Sequence, residues 1–260
     1  MSTLKPKVGL IVPPASGEVP PEPLALYGDK VDFVAVGLGL GKLTPEGYDG
    51  VIERVGELSR ILAADGVQAV SLMGTSLSFY RGPKYHAQLV EIMQSESGLP
   101  ATTMSDSVTK AFDAFGAKRL VVATPYVSSV NRLLEEFLVE SGFEVVHLHG
   151  LGLERVEDIL AVSQDELRQL GLEAMKSAKG EADALFISCG GLRTEVVTSE
   201  LESELNIPVI SSALAGAWIE VKRDPEGMLF CILLHFFGAT QLPKRLLQQF
   251  EKIERCSIFF

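Results

Sequence analysis

One cysteine of this chain stands where a group that donates a proton would be useful. In the stretch ALFISCGGL (184–192), Cys189 ends an apolar run typical of a buried strand, and Gly190 and Gly191 follow it directly. A thiol has an ordinary pKa of about 8.5, so at pH 7 it is mostly protonated and can act as an acid. The glycines let backbone N–H groups approach a ligand closely. The stretch predicts a proton donor beside an anion site, although a lone cysteine is also compatible with simple core packing.

An earlier stretch has the same pattern without the thiol. The run VQAVSLMGTS (67–76) is similar to ADALFISCGG (182–191) at an offset of 115 residues, and Gly74 stands opposite Cys189. Racemisation without a cofactor needs one group to remove a proton and a second, facing it, to return one. Because glycine takes one of the two positions, only a single acid remains. The pair therefore favours a reaction that makes a carbanion by another route, such as the loss of CO2.

The two stretches belong to a longer internal repeat. VGLIVPP (8–14) is similar to LVVATPY (120–126) at an offset of 112, and LPATTMS (99–105) is similar to IPVISSA (207–213) at an offset of 108. Three blocks in the same order at nearly constant spacing indicate two similar halves, the second beginning near Lys118.

The elements that carry these blocks are short apolar strands alternating with amphipathic helices. One helix is predicted from a Thr44 cap to Gly66, with Val55 and Leu62 on its apolar face, and another ends near Gly142. Such alternation predicts right-handed βαβ units and parallel sheets. We expect an α/β fold of two pseudo-symmetric, doubly wound (flavodoxin-like) halves. Ligands bind beyond the carboxyl ends of parallel strands, so the active site is expected in the cleft between the halves.

The expected domain division follows the repeat. Residues 1–115 form the first half and residues 116–212 the second. A C-terminal helix near residues 213–222 is expected to complete the first half, and residues 223–260 form a tail without an assigned role.

Composition and motifs argue against several partners. The net charge of −11 disfavours nucleic acid and anionic membranes, and the apolar run at 228–239 is too short to span a bilayer. Three cysteines do not make a disulfide framework, so we expect a cytoplasmic protein, monomeric or a small homo-oligomer.

The loop GLGLG (37–41) has Lys42 where a dinucleotide motif needs glycine, and His147 and His149 have no clear third ligand nearby. No cofactor and no metal is expected.

Five segments carry a resemblance to a known enzyme superfamily. They are VPPASGEVP (12–20), GLGLGKLTPEGYD (37–49), SLMGTSLSFYRG (71–82), TPYVSSVN (124–131) and SCGGL (188–192). Through them the chain resembles the aspartate/glutamate racemase superfamily from about Val8 to Lys222, and within it the arylmalonate decarboxylase family. Racemases and isomerases of this superfamily generally carry cysteine at both equivalent strand ends, so Gly74 is the departure that marks the decarboxylase branch.

The resemblance implies a specific reaction and a set of site residues. The reaction is cofactor-independent decarboxylation of α-aryl or α-alkenyl malonates, small dicarboxylates, to chiral monocarboxylic acids through an enediolate that Cys189 protonates. An oxyanion cradle is expected from Thr75, Ser76, Tyr126 and Gly190. The remaining walls of the substrate pocket are expected to be Pro14, Leu40, Leu43, Tyr48, Gly74, Val156 and Ile159.

Other interpretations stay open at this level. The chain is also compatible with a racemase or cis–trans isomerase of the same superfamily that pairs Cys189 with a partner other than cysteine. A non-catalytic carboxylate-binding protein is a third candidate. Thr75 and Ser76 are equally suited to capping the next helix, and Tyr126 to packing as a buried aromatic residue.

Overall fold

Two four-stranded parallel sheets form the framework of the molecule. The computed structural model describes residues 5–179, 181–217, 222–223 and 229–230. The strands of the first sheet are β1 (Lys7–Val12), β2 (Asp32–Gly37), β3 (Ala69–Leu72) and β4 (Ala101–Thr103). Those of the second sheet are β5 (Arg119–Tyr126), β6 (Glu144–Leu153), β7 (Ala184–Ile187) and β8 (Val209–Ser211).

The two sheets have the same topology. The first runs in the order β2-β1-β3-β4 and the second in the order β6-β5-β7-β8, and all of these neighbours pair in parallel. Each of the three sequence blocks falls on equivalent strands: β1 with β5, β3 with β7, and β4 with β8. The expected α/β fold of two similar doubly wound halves is confirmed.

Helices connect the strands and cover both faces of the sheets. In the first half they are α1 (Pro21–Tyr27), α2 (Pro45–Asp49), α3 (Val55–Ala64), α4 (Thr75–Phe79), α5 (Gly82–Ser97) and α6 (Met104–Phe115). In the second half they are α7 (Ser128–Glu140), α8 (Val156–Leu160), α9 (Gln164–Ser177), α10 (Glu195–Leu205) and α11 (Ser212–Ala217). In the described part of the chain, no helix combines the length and the hydropathy that crossing a membrane requires.

The helix predicted from Thr44 to Gly66 is two helices. Thr44 caps α2, its side chain accepting a hydrogen bond from the Gly47 N–H at 3.2 Å, and α2 ends at Asp49. Val51 then leaves the helical region (φ −126°), and a short 3-10 turn leads into α3. Tyr48, three residues before Val51, is fully buried. Periodicity alone missed the break because the apolar spacing continues across the turn.

Strand β1 shows why the first sheet needs helices on both faces. Val8, Leu10 and Val12 point to one side, into a cluster that includes Tyr27 of α1. Ile11 points to the other side, into the main core with residues of α3. A parallel sheet with both faces apolar is stable only when both are covered.

Helix α11 follows the last strand of the second half but packs against α1 and α6 of the first half. On this contact we propose the division at 1–115 and 116–212, with the C-terminal helix returning to the first half. The helix begins at Ser212, and Lys222 lies in a two-residue strand, β9 (Lys222–Arg223), that pairs antiparallel with β10 (Leu229–Phe230). Apart from this pair, the predicted tail at 223–260 lies outside the described residues.

Both sheets have a switch point beside their first strand. In the first sheet, β1 lies between β2 and β3, so the connections leave it in opposite directions; β5 has the same place in the second sheet. Loops that follow the strands at a switch point leave a crevice at the carboxyl ends. The two crevices bring together the residues after β1, β3, β5 and β7.

Candidate active site

A cavity of about 290 Å³ lies where the carboxyl ends of the two sheets meet. Its volume is at the small end of the range for ligand pockets and suits a small carboxylic acid. All but one of the predicted site residues line it. They are Pro14, Leu40, Leu43, Gly74, Thr75, Ser76, Tyr126, Val156, Ile159, Cys189 and Gly190.

Cys189 lies at the floor of this cavity in an unusual backbone conformation. Its φ is +113°, a region that side-chain-bearing residues rarely adopt, and its N–H donates a hydrogen bond to the Ser212 hydroxyl at 3.2 Å. Strain of this kind persists where the surrounding structure holds it, commonly at functional sites. The thiol is free and only 7% exposed. Burial raises its pKa, against the smaller opposing effects of the Gly191 N–H and the Tyr126 hydroxyl, so the thiol is protonated at neutral pH.

Gly74 lies on the opposite half, at the end of β3. Its backbone is extended (φ −134°, ψ 98°), a conformation open to any residue. A Cβ atom built there would lie 2.7 Å from the Leu77 Cδ1 atom, so a side chain fits once Leu77 moves. Glycine here keeps one wall of the cavity bare.

Thr75 and Ser76 form the first turn of α4 and do not cap it. The cap position is Gly74, and no side chain accepts a hydrogen bond there. The Thr75 hydroxyl donates to the Met104 sulfur at 3.4 Å. N–H groups in a first helical turn have no partner within the helix, so this turn can offer them to an anion.

Tyr126 ends β5, is fully buried and lines the cavity. The hydroxyl accepts a hydrogen bond from the Ser188 Oγ atom at 3.3 Å. Burial, with the neighbouring Cys189 and Tyr48, raises the pKa of Tyr126 well above its ordinary value. The phenol stays protonated and can donate to an oxyanion.

Gly190 brings the two halves into close contact. A Cβ atom at Gly190 would lie 2.5 Å from the Met104 sulfur and 3.4 Å from the Met73 carbonyl oxygen. Met104 is buried at the start of α6, so the loop after β7 rests directly on residues of the first half. Glycine permits this approach without any shift of Met104, and Gly190 lines the cavity.

The apolar wall is assembled by a backbone clasp between the halves. The Leu43 N–H donates to the Glu154 carbonyl at 2.7 Å, and the Val156 N–H donates to the Gly41 carbonyl at 3.3 Å. This antiparallel pairing, centred on Lys42 and Arg155, sets the leucines of one loop beside the start of α8.

Tyr48 is the predicted pocket residue that does not line the cavity. It is fully buried behind the wall, edge-on to Tyr80 with ring centroids 5.0 Å apart. Its hydroxyl has no hydrogen-bond partner within bonding distance among the described residues. Burial raises the pKa of Tyr48, and the nearby Ser76 side chain has a smaller effect that lowers it. Tyr48 therefore supports the first turn of α4 from behind.

Several residues at the cavity were not predicted. The loop after β1 contributes Ser16 and Glu18, the first turn of α1 contributes Glu22, and the loop after β7 contributes Arg193. The rule that loops at a switch point line the crevice would have included both segments. Nothing in the residue types singled them out, since charged residues in loops are usually solvated.

Of the two motifs set aside in the sequence, the GLGLG loop supplies Leu40 to the cavity wall, and the histidine pair lies on β6. The GLGLG loop is held by backbone hydrogen bonds, Leu38 N–H to the Val12 carbonyl at 2.9 Å and Leu40 N–H to the Pro13 carbonyl at 2.8 Å. His147 and His149 stack on β6 with ring centroids 6.5 Å apart. Within the described ranges, no cluster of three or more His, Cys, Asp or Glu residues is placed to hold a metal ion.

Comparison with known proteins decides the family. The family model described as arylmalonate decarboxylase matches residues 8–227. Arylmalonate decarboxylase from Bordetella bronchiseptica is 44% identical over 222 residues, which cover 85% of this chain and 92% of that protein. The chain belongs to the arylmalonate decarboxylase family. The resemblance stated from the sequence is confirmed, and the chain is an enzyme of the carboxy-lyase class.

Solved structures of the arylmalonate decarboxylase family share the fold. A double mutant of arylmalonate decarboxylase in its liganded form, with one glycine replaced by cysteine and one cysteine by serine, superposes with a TM-score of 0.80. It is 43% identical, and the match covers 82% of this chain and 90% of that one. A maleate isomerase from Pseudomonas putida has a TM-score of 0.76 at 21% identity, covering 83% and 91% of the two chains, and shares the fold alone.

Proposed function

We propose that this enzyme decarboxylates α-aryl and α-alkenyl malonates to chiral monocarboxylic acids without a cofactor. The observation that supports this most is one buried, protonated thiol, Cys189, on a cavity whose equivalent position in the other half is Gly74. Membership of the arylmalonate decarboxylase family supports the same reaction.

In the proposed reaction, the bond between the α-carbon and one carboxyl carbon breaks, and CO2 leaves. The electron pair stays on the α-carbon and delocalises into the remaining carboxylate as an enediolate. Donors from Thr75, Ser76, Tyr126 and Gly190 stabilise this growing charge. A missing donor in a comparable site costs about 2.7–4 kcal/mol of barrier.

Cys189 then donates its proton to the α-carbon from one side only, which makes the product chiral. The resulting thiolate is stabilised by the Gly191 N–H and the Tyr126 hydroxyl, both of which lower the thiol pKa. Because burial has the larger, opposite effect, the thiolate takes a proton back from water and the cycle closes.

The leaving carboxylate is proposed to lie against the apolar wall of the cavity, formed by Leu40, Leu43, Val156 and Ile159. These side chains are buried or nearly so, and they offer no hydrogen bond to a charged group. A carboxylate held there is poorly solvated, whereas neutral CO2 is not, so the apolar wall favours bond cleavage.

The test is turnover of phenylmalonate in buffered heavy water with purified protein and no added metal or cofactor. We expect CO2 release and phenylacetate carrying one deuterium at its α-carbon. Cys189→Ala should lose this activity, whereas Cys231→Ala, a cysteine outside the repeat, should keep it.

Absence of CO2 and phenylacetate would refute the proposal. Exchange of the α-hydrogen of a 2-substituted acid, without CO2 release, would instead support a racemase or isomerase of the superfamily. Stoichiometric binding without turnover would support a carboxylate-binding protein. A cytoplasmic location and a monomer or small homo-oligomer stay predictions.

A further inference from the structure

Two charged residues at the cavity have no part in the proposed reaction. Glu22, in the first turn of α1, is only 6% exposed although it is a carboxylic acid. Arg193, four residues after Cys189, comes from the other half of the molecule and is exposed. Both line the cavity, and they lie within electrostatic reach, since Arg193 lowers the pKa of Glu22 against the larger effect of burial.

The charges around the cavity are unfavourable to an anionic substrate without Arg193. The chain carries a net charge of −11, and Glu18 and Glu22 both line the cavity. Among the described lining residues, Arg193 is the only cation. It forms no ion pair with another residue in the described part of the chain, so its guanidinium is available to a ligand. A malonate at pH 8 is a dianion, whereas the product of its decarboxylation is a monoanion.

We propose that Arg193 selects dianionic malonates over monocarboxylates at this site, and that Glu22 limits the strength of this attraction. This inference rests on the proposed function. The interaction of a fixed charge with a ligand scales with the ligand's charge, so Arg193 attracts the substrate about twice as strongly as the product. Loss of CO2 halves the attraction, which favours release. Glu22 carries the opposite charge to Arg193 and therefore weakens the binding of both the substrate and the product.

The test compares Arg193→Gln with Arg132→Gln, using phenylmalonate as the substrate and phenylacetate as a competitive inhibitor. Arg132 is an exposed arginine of α7 paired with Glu136, away from the cavity, and its replacement makes the same change in net charge. For Arg193→Gln we expect KM to rise by about three- to tenfold with kcat within about twofold. Phenylacetate has half the charge of phenylmalonate, so its interaction energy with Arg193 is also half as large. Its inhibition constant should therefore rise by about two- to threefold, the square root of the change in KM.

Further measurements separate an electrostatic role from a structural one. The effect of Arg193→Gln on KM should shrink in 0.5 M salt, because ions screen exposed charges, and Arg193→Lys should restore most of the wild-type KM. Glu22→Gln should lower KM by about two- to threefold. Arg132→Gln should leave KM unchanged.

The inference fails if Arg193→Gln behaves like Arg132→Gln, or if it shifts KM and the phenylacetate constant by the same factor. A loss confined to kcat, or one that Arg193→Lys does not restore, would also overturn it. An unchanged KM in Glu22→Gln would remove the role of Glu22. Calorimetric binding of phenylmalonate to Cys189→Ala protein, with and without Arg193→Gln, needs no turnover. It tests Arg193 even where absence of CO2 has already refuted the proposed function.

Discussion

Replacing Gly190 with alanine should lower both the stability of the protein and its activity, because the added methyl group would clash with Met104. The added Cβ would lie 2.5 Å from the Met104 sulfur, which is closer than carbon and sulfur can approach. Met104 is 1% exposed and has Gly216 on another side, where a Cβ would lie 2.7 Å from the Met104 Cε atom. Because Met104 is buried and already packs against Gly216, either the methionine or the loop after β7 must move.

The expected cost of Gly190→Ala is that of overpacking a core, about 1–3 kcal/mol of unfolding free energy. For a chain of this size, each kcal/mol lowers Tm by about 2–4 °C. A displaced Met104 also disturbs the Thr75 hydroxyl that donates to its sulfur, and a displaced loop moves the Gly190 N–H. We therefore expect kcat on phenylmalonate to fall by at least about tenfold, the equivalent of 1.36 kcal/mol in the barrier.

Gly191→Ala is the matched control for stability. The nearest atom to a Cβ there is the Leu160 Cδ2 atom at 3.3 Å, on a side chain that is 49% exposed and free to turn away. Thermal unfolding should show a change within about 0.5 kcal/mol. The two glycines are neighbours in sequence, so a difference in stability between the two variants reflects the atoms that each new Cβ would contact.

A double-mutant cycle with Met104→Ala completes the test. Met104→Ala alone removes a buried side chain and should cost about 2–5 kcal/mol. In that background the clash is gone, so Gly190→Ala should cost less than about 0.5 kcal/mol, a coupling of about 1–3 kcal/mol. If Gly190→Ala costs the same in both backgrounds, Met104 is not the residue that requires glycine at position 190.

Three further outcomes are expected. Gly74→Cys should fold once Leu77 shifts and should introduce α-hydrogen exchange with 2-phenylpropionate in heavy water; a folded variant without exchange would contradict the facing-walls geometry. Tyr126→Phe removes one donor and should lower kcat by about 10²- to 10³-fold, measured by CO2 release; a fall of less than about threefold would exclude the phenol from the cradle. Glu202 has a pKa raised to about 7 by burial while it accepts a hydrogen bond from the Val209 N–H at 3.1 Å. A carboxyl with a raised pKa in the folded state contributes stability that is present below about pH 4.5 and lost as the pH rises through about 7. Glu202→Gln should therefore be more stable than wild type at pH 8 and not at pH 4.5, by about 1–2 kcal/mol after allowing for its partial exposure; equal denaturant midpoints at pH 8 would contradict this.

Part of the fold was predictable because buried parallel strands have a strong local signature. Strands β1, β3, β5 and β7 are apolar runs with Gly or Pro at or close to their carboxyl ends, and the repeat preserved the order of those runs. The predicted helix from Thr44 to Gly66 was wrong for the opposite reason. The apolar period continues through the turn at Val51, whereas Tyr48 just before the turn packs against Tyr80, a contact between distant parts of the chain that a local pattern does not show.

The residues of the candidate site also fall into those that the sequence predicted and those that it did not. Cys189, Gly74 and the hydroxyls after β3 were predictable because a strand's carboxyl end is visible in the sequence, and the carboxyl ends of two similar halves face a common cleft. Tyr48 does not line the cavity, since a helix of one turn is too short for its sequence pattern to show which way a side chain points.

The sequence by itself determined where the strands that line the cavity end, because strand propensity and the repeat are visible along the chain. The tertiary structure alone decided what those ends meet. Met104 beneath Gly190, the clasp between the halves, and the burial that keeps the Cys189 thiol protonated all join residues far apart in the chain. Glu22 and Arg193 likewise come to one cavity only after both halves have folded. Contacts and desolvation depend on the packing of distant segments, and no local pattern encodes them.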